Sequence, residues 1–241
     1  MKYISTVLYS ICLTSLLHYT GNSQIVVPES DDLLFKLRLN KSTEEIKEIQ
    51  YSDVIGDPFL YKDFSPGQIV LRSNETYSVE MRYDIYADLI HVRYKNNVFA
   101  IAHPDKLSCI IIDTVTFIYD HIKRSGTENS ENKGSYLILM RDGRCKLLVR
   151  KNLRIQDPEP PKILQDAKPA KFIHTRDSYY LKQGNDNPIL IRNIKDIINV
   201  MYDRKEVVSE YIRSNKFEFK KAEDLVGIVD YYNSLFQNIP R

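Results

Sequence analysis

The 241-residue sequence contains no tryptophan, only eight glycines and only three cysteines. Glycine-rich loops cradle phosphate groups in nucleotide-binding proteins, and neither a Gly-x-x-x-x-Gly-Lys loop nor a Gly-x-Gly-x-x-Gly fingerprint occurs here. The Gly-x-Ser-x-Gly elbow of serine hydrolases is also missing. Tryptophan rings often stack on sugars, so the lack of tryptophan makes a sugar-binding site less favoured. These absences give no support to a nucleotide-driven or serine-hydrolase activity.

An excess of charge of one sign is missing too. The chain has 34 basic and 32 acidic residues, and no block of like charge stands out. This balance gives no sign of a nucleic-acid partner or of an anionic membrane surface. Hydrophobic residues make up 43% of the chain, which is enough to build a core and argues against general disorder.

The histidines give no sign of a metal site. None of the four beyond the N-terminal segment stands at a metal-ligand spacing such as His-Glu-x-x-His; they are His91, His103, His121 and His174. Two carboxylates could still meet in a cleft, because a glycoside hydrolase needs only a pair about 5–9 Å apart. We therefore predict no catalytic, metal-binding or cofactor-binding residue and no cofactor.

The N-terminus has the three-part layout of a secretory signal peptide. Lys2 precedes an apolar run over residues 4–17, and Gly21 and Ser23 suit the −3 and −1 positions of a cleavage site. The run is about 14 residues long, whereas a spanning helix needs about 20, so an uncleaved anchor is the less favoured alternative. We predict that residues 1–23 are removed and that the mature chain has no transmembrane span. The protein would then be periplasmic, outer-membrane-associated or extracellular.

Two cysteines, Cys109 and Cys145, would remain after cleavage. An oxidising compartment allows them to form a disulfide, which would close a loop of about 36 residues and stabilise the fold by up to about 3–4 kcal/mol. Both lie in strand-like runs whose register the sequence does not give. Two buried thiols are therefore the alternative to a bridge.

The sequence predicts an α+β fold in four parts after the signal peptide. Residues 24–43 are a polar lead-in, and residues 44–156 form an antiparallel β domain. Residues 157–169 are a proline-rich linker, because closely spaced prolines cannot lie in a central strand. Residues 170–241 contain a short hairpin and two to three helices. The regular spacing of short strands favours a β-meander, either sandwich-like or a curved partial barrel.

Two local signals define the β domain best. Apolar and polar residues alternate over residues 77–85, so that Arg82 and Asp84 are expected to face solvent. Two β-rich runs around Asp142-Gly143 indicate a hairpin.

The C-terminal part should pair residues 170–175 with residues 178–182 as a hairpin. Asn193 and Asp203 are the predicted N-caps of two helices, and a third helix follows near the C-terminus. The side chains expected to face inward are Val207 and Tyr211, with Val208 and Ile212 as further inward positions, and then Leu225, Ile228, Val229 and Tyr232.

Six aromatic residues lie on successive predicted strands: Tyr77, Tyr83, Tyr86, Tyr94, Phe117 and Tyr119. Such a row ordinarily fills the core of a sheet. The alternative is a groove or a protein interface, where tyrosine is enriched. We treat this row as a candidate interaction face.

Several stretches resemble a family of uncharacterised exported proteins of Bacteroidota. They are Gly56-Asp-Pro-Phe-Leu, Phe64-Ser-Pro-Gly-Gln-Ile-Val-Leu, Met81-Arg-Tyr-Asp-Ile-Tyr, Arg141-Asp-Gly-Arg with Leu147-Leu, and Tyr179-Tyr with the closing helices through Tyr231-Tyr-Asn. The resemblance covers about residues 51–236. It implies a secreted or envelope protein, and it brings no activity and no functional residue.

Three functional hypotheses follow from these observations. The favoured one is an exported envelope protein that is not an enzyme and binds another envelope protein, through the aromatic face or the terminal helices. The first alternative is a curved sheet that binds a lipid or a glycan. The least favoured is a hydrolase with a carboxylate pair.

Overall fold

The computed structural model describes residues 39–40, 51, 53–94, 97–122, 133–161 and 166–237. The predicted signal peptide and nearly all of the predicted lead-in lie outside the described residues. The described strands are β1 (Leu39–Asn40), β2 (Val54–Ile55), β3 (Ser65–Leu71), β4 (Thr76–Asp84), β5 (Leu89–Tyr94), β6 (Asn97–Ile101), β7 (Leu107–Ile112), β8 (Val115–Ile122), β9 (Lys133–Arg141), β10 (Cys145–Arg150), β11 (Leu153–Gln156), β12 (Ala170–His174), β13 (Ser178–Gln183) and β14 (Ile189–Leu190). The helices are α1 (Ile194–Val200), α2 (Lys205–Asn215) and α3 (Ala222–Ser234), with 3-10 turns at Pro104–Lys106 and Tyr202–Arg204.

Eleven strands form one sheet in the order β1-β6-β5-β4-β3-β7-β8-β9-β10-β13-β14, and all neighbouring pairs are antiparallel. Strand β3 is the point where two meanders meet. Strands β4, β5 and β6 lie on one side of it, and the chain then returns through Pro104–Lys106 to place β7 on the other side. The predicted antiparallel sheet followed by helices, an α+β arrangement, is confirmed.

The predicted strand and the predicted hairpin are confirmed, but the expected exposure of Arg82 and Asp84 on that strand is not. Strand β4 buries Tyr77, Met81 and Tyr83 on one face, at the period of two that its sequence shows. Strands β9 and β10 pair around the predicted Asp142-Gly143 turn. Gly143 has a φ of 149°, which favours glycine over residues that carry a Cβ.

The large sheet curls, so that the turn between β4 and β5 reaches strands β9 and β10. Asp88 in that turn contacts both Ser135 on β9 and Arg150 on β10. Large side chains fill the inner face of the curl: the rings of Tyr83 and Phe117 lie 5.2 Å apart, and those of Tyr83 and Tyr136 lie 6.1 Å apart. Of the two predicted arrangements, the structure corresponds to the curved partial barrel.

The predicted hairpin of residues 170–175 with residues 178–182 is wrong. Strand β12 pairs with β11 and, in parallel, with β2, forming a separate three-stranded sheet. Strand β13 instead pairs with β10 along six residues. The edge of β10 needs a partner for its backbone groups, and β13 brings the buried side chains Tyr180 and Leu181 to it. The large sheet therefore continues beyond the proline-rich segment, 157–169.

Among the described helices, α1 packs on β13, α3 packs on β9 and β10, and α2 packs on α1 and α3, so that they bury a second core with the sheet. Its members come from both layers: Cys145, Leu147, Leu181, Ile191, Ile197, Val200, Met201, Val208, Ile212, Leu225, Ile228, Val229 and Tyr232. Asn233 also ties α3 to the sheet, because its side chain accepts a hydrogen bond from the Cys145 backbone N–H (2.9 Å) and donates one to the Cys145 carbonyl (3.0 Å). Burial of Leu225, Ile228, Val229 and Tyr232 confirms the predicted inner face of α3.

Helix α1 begins as its sequence predicts. The Asn193 side chain accepts a hydrogen bond from the Asp196 backbone N–H (3.2 Å), and the Asp196 carboxylate accepts one from the Asn193 backbone N–H (3.1 Å). This reciprocal pair is a capping box, which satisfies two backbone donors at the start of the helix.

Helix α2 differs from its prediction in two ways. Asp203 is not its N-cap: it lies in the Tyr202–Arg204 turn, where its carboxylate accepts a hydrogen bond from the Tyr232 hydroxyl (2.7 Å). Val208 and Ile212 are buried as expected, whereas Val207 is 44% exposed and Tyr211 is half-buried. The apolar stripe of α2 is therefore divided between the core and the surface.

The capping box predicts a measurable contribution to stability. Asn193→Ala should lower the free energy of unfolding by about 1 kcal/mol, because the substitution removes the side chain that accepts from the helix terminus. Urea denaturation followed by circular dichroism would measure the change. Asn185→Ala, in an exposed turn, is the matched control; an equal loss in both variants would contradict the prediction.

Candidate functional site

The aromatic row predicted as an interaction face lies mostly inside the protein. Tyr77, Tyr83 and Phe117 are buried, and Tyr94 and Tyr119 are partly buried. Tyr86 is 38% exposed. A partner of the folded protein cannot reach the three buried rings, so the row does not form a continuous outer surface.

Tyr86 itself joins the two sheets. Its ring lies 5.5 Å from Phe172 and 5.8 Å from Tyr51, and the Tyr51 and Phe172 rings are 5.5 Å apart. Edge-to-face contacts at these distances are favourable packing geometries. Because Phe172 lies on β12, the three rings fasten the small sheet to the turn after β4.

The disulfide considered between Cys109 and Cys145 is not formed. Both thiols are free. Cys109 lies on β7 and Cys145 on β10, with β8 and β9 between them, so three strand spacings of about 4.8 Å separate the two strands. A disulfide needs Cα atoms closer than about 7 Å. Burial raises the pKa of Cys145 to about 12 and also raises the pKa of Cys109.

These thiols should react slowly in the folded protein. A thiolate is the reactive species, and a raised pKa leaves little of it at pH 8. We expect iodoacetamide to leave Cys145 unmodified under native conditions and to modify Cys109 and Cys145 in guanidinium chloride, as read by peptide mass spectrometry. A Cys109–Cys145 disulfide peptide in non-reduced digests would contradict the structure.

A partly buried carboxylate, Asp88, holds the inner end of the curled sheet. Its Oδ1 accepts a hydrogen bond from the Tyr83 hydroxyl (2.9 Å) and its Oδ2 accepts one from the Ser135 hydroxyl (2.6 Å). The Arg150 guanidinium lies 3.7 Å from Oδ2, and the Tyr136 backbone N–H donates to Oδ1 at 3.2 Å. Sequence reasoning gave Asp88 no role, because its partners on β9 and β10 are distant in the chain.

The network continues through Arg150 toward the surface. Its Nε donates to the Ser135 hydroxyl (2.9 Å) and its guanidinium donates to the Asn152 side chain (2.8 Å). Asn152 in turn donates to the Arg176 carbonyl (2.8 Å) and to the Ser178 hydroxyl (2.9 Å). The Ser135 hydroxyl thus donates to a carboxylate and accepts from a guanidinium, an arrangement that holds it in place and does not activate it as a nucleophile.

A fully buried carboxylate, Asp84, corrects the expected solvent face of β4. Asp84 is 1% exposed, and it accepts hydrogen bonds from the Ala87 backbone N–H (2.8 Å) and the Tyr51 hydroxyl (3.0 Å). Burial raises the pKa of Asp84, while these hydrogen bonds act in the opposite direction. Arg82 is covered as well, since its guanidinium lies 3.6 Å from the centroid of the Phe59 ring.

The Asp88 network predicts a specific loss of stability. Asp88→Asn should lower the free energy of unfolding by about 2–4 kcal/mol, because it removes the charge opposite a mostly buried Arg150. Asparagine tolerates the φ of 56° at this position. Asp113→Asn is the matched control, since Asp113 has a similar φ of 54° in an exposed turn. Equal unfolding midpoints in urea for the two variants would contradict the role assigned to Asp88.

Three cavities on the described surface are large enough for a ligand or a partner side chain. A groove between α2 and α3, of about 500 Å³, is lined by Glu206, Val207, Glu210, Tyr211, Ser214 and Tyr231. A cavity of about 430 Å³ is lined by Arg176, Asp177, Ser178, Tyr179, Leu190, Ile191, Arg192, Phe219 and Lys220. A third, of about 390 Å³, is lined by Pro66, Gly67, Gln68, Ser78, Ile111 and Asp113.

The α2–α3 groove is the most apolar of these surfaces. Its floor is a stacked pair of rings, Tyr211 and Tyr231, with centroids 3.8 Å apart and planes 12° apart. Val207 stands beside them, and the carboxylates of Glu206 and Glu210 lie at the rim. The groove can therefore accept apolar side chains and place a cation next to a carboxylate.

Comparisons with known proteins found no similarity: no protein-family model, no curated protein and no solved structure matches the chain. The resemblance to exported Bacteroidota proteins stays a prediction. Within the described residues, no three His, Cys, Asp or Glu side chains are grouped to hold a metal ion. None of the described helices combines the length and the hydropathy needed to cross a membrane.

Proposed function

We propose that this protein is exported, is not an enzyme, and binds another envelope protein through the groove between α2 and α3. Export rests on the signal-peptide pattern of residues 1–23. The observation that carries the binding proposal is the second apolar face of α2, which exposes Val207 and part of Tyr211 at the protein surface.

The helical core is filled without Val207. Val208 and Ile212 are buried in it, together with Ile228 and Val229 of α3. Val207 and Tyr211 instead face the groove with Tyr231. Contiguous exposed apolar surface rimmed by polar residues is typical of a protein-binding site, and tyrosine is enriched at interfaces.

The charge of the groove indicates the chemistry of its partner. Among the residues that the structure describes, its lining contains two carboxylates, Glu206 and Glu210, and no cationic side chain. Lys205 and Arg213 pair with these carboxylates at the exposed surface, where ion pairs are weak and exchangeable. The complementary partner is an amphipathic segment that presents lysine or arginine beside apolar side chains. Such a cation could also stack on the tyrosine rings.

The alternatives have less support. Side chains such as Phe117 and Tyr136 fill the inner face of the curled sheet, which leaves little room there for a lipid or a glycan. The carboxylates of Asp84, which is buried, and Asp88, which is partly buried, each accept hydrogen bonds within the protein. An acid–base pair for hydrolysis is therefore not supported by these two groups.

Val207→Lys tests the groove. The tagged protein would be crosslinked in its native envelope, and captured proteins would be quantified by mass spectrometry. We expect the yield of the true partner to fall about ten-fold or more, which corresponds to about 1.4 kcal/mol of binding free energy. The reason is that the new lysine would place a positive charge, stripped of water, against a basic partner. Ile55→Lys is the matched control, since Ile55 is 55% exposed on β2, away from the groove.

The double variant Glu206→Lys/Glu210→Lys tests the charge of the partner. The proposal expects this variant to lose the same protein as Val207→Lys, and expects crosslinked peptides with lysine or arginine next to apolar residues. If the Val207→Lys and Ile55→Lys variants capture the partner protein in equal yield, binding at the groove is contradicted.

A further inference from the structure

We infer that the protein has a second binding site, for a small amphipathic anion, in the cavity between the start of β13, the end of β14 and the α2–α3 connection. The ligand class is a molecule that joins a phosphate or carboxylate group to an apolar or aromatic group. This site shares no residue with the α2–α3 groove, so it does not depend on the function proposed there.

The charge of the cavity favours an anion. Three cations line it, Arg176, Arg192 and Lys220, against one carboxylate, Asp177. The charge of Asp177 is already paired, because its Oδ2 lies 2.7 Å from the Lys151 ammonium. Even with Arg192 left out, because it has an interaction partner of its own, Arg176 and Lys220 outnumber Asp177 among the described lining residues. A concave wall concentrates this potential more than a flat surface would.

The rest of the lining is apolar. Tyr179, Leu190, Ile191 and Phe219 form it, and Tyr179 and Phe219 also pack against the helical core. A free phosphate ion would leave this surface uncovered. A ligand that combines an anionic group with a ring or a short chain would satisfy both parts of the cavity, whose volume of about 430 Å³ suits a small molecule.

The backbone beside Arg176 and Ile191 is held in place before any ligand arrives. Asn152 donates to the Arg176 carbonyl (2.8 Å) and to the Ser178 hydroxyl (2.9 Å), and Asn152 is itself bonded to Arg150. Across the cavity, the Ile191 backbone N–H donates to the Tyr179 carbonyl (2.9 Å). In a prearranged site, less of the binding free energy is lost to ordering the protein chain.

Isothermal titration with three probes tests the inference: phenyl phosphate, inorganic phosphate and phenol. We expect phenyl phosphate to bind more tightly than either of the other two, because only it uses the charged and the apolar parts together. Arg176→Gln and Lys220→Gln should each weaken phenyl phosphate about three- to ten-fold, the range expected for one partly exposed charged contact. Arg154→Gln, an exposed residue of β11, is the matched control and should leave the affinity unchanged.

Vesicles separate the two sources of such an anion. If the protein floats with phosphatidylglycerol vesicles and not with phosphatidylcholine vesicles, and if the double variant Arg176→Gln/Lys220→Gln no longer floats, the site binds a lipid headgroup. Binding of phenyl phosphate without flotation would assign the site to a free small molecule.

The inference is overturned if phenyl phosphate does not bind, if it binds no better than inorganic phosphate, or if the cavity variants and Arg154→Gln bind it equally. Val207→Lys should bind phenyl phosphate normally, which keeps this test separate from that of the groove.

Discussion

The contacts of Asp88 with Ser135 and Arg150 hold the curled sheet together on which the rest of the molecule depends. Strands β4 and β9 are separated by three strands in the sheet, and these contacts bring the turn after β4 against β9 and β10. Burying a carboxylate is expensive unless its oxygens are paired, and here hydroxyl, backbone and guanidinium groups supply the partners. The curl in turn encloses the rings of Tyr83, Phe117 and Tyr136, so the polar contact and the apolar core support each other.

The same network connects the interior to the surface that we assign to anions. Arg150 bonds to Ser135 inside and to Asn152 outside, and Asn152 holds the backbone at Arg176 and Ser178. The helical layer is fixed on the neighbouring strands by its own core and by Asn233. Both proposed binding surfaces therefore lie on elements that the sheet positions, which is the arrangement that precise recognition requires.

Local features could be predicted from the sequence, and pairings between distant segments could not. The alternation of β4, the Asp142-Gly143 turn and the Asn193 cap depend on neighbours within a few residues, so their signals lie in the sequence itself. The pairing of β13 with β10 depends on which edge is open in the folded sheet. The roles of Asp88 and the separation of Cys109 from Cys145 depend on strand order, which a single sequence does not encode in any local pattern.

Helix α2 shows why an incomplete prediction can be informative. Adjacent residues on a helix point about 100° apart, so Val207 with Tyr211 and Val208 with Ile212 form two neighbouring stripes. Either stripe alone gives a helical period, and the sequence cannot say which one the core will cover. In the structure Val208 and Ile212 are buried in the helical core, whereas Val207 is exposed and Tyr211 stacks on Tyr231 of α3 beside it. Substitution of Val207 can then change binding while the buried stripe keeps the fold, because Val207 is exposed and lies outside the core.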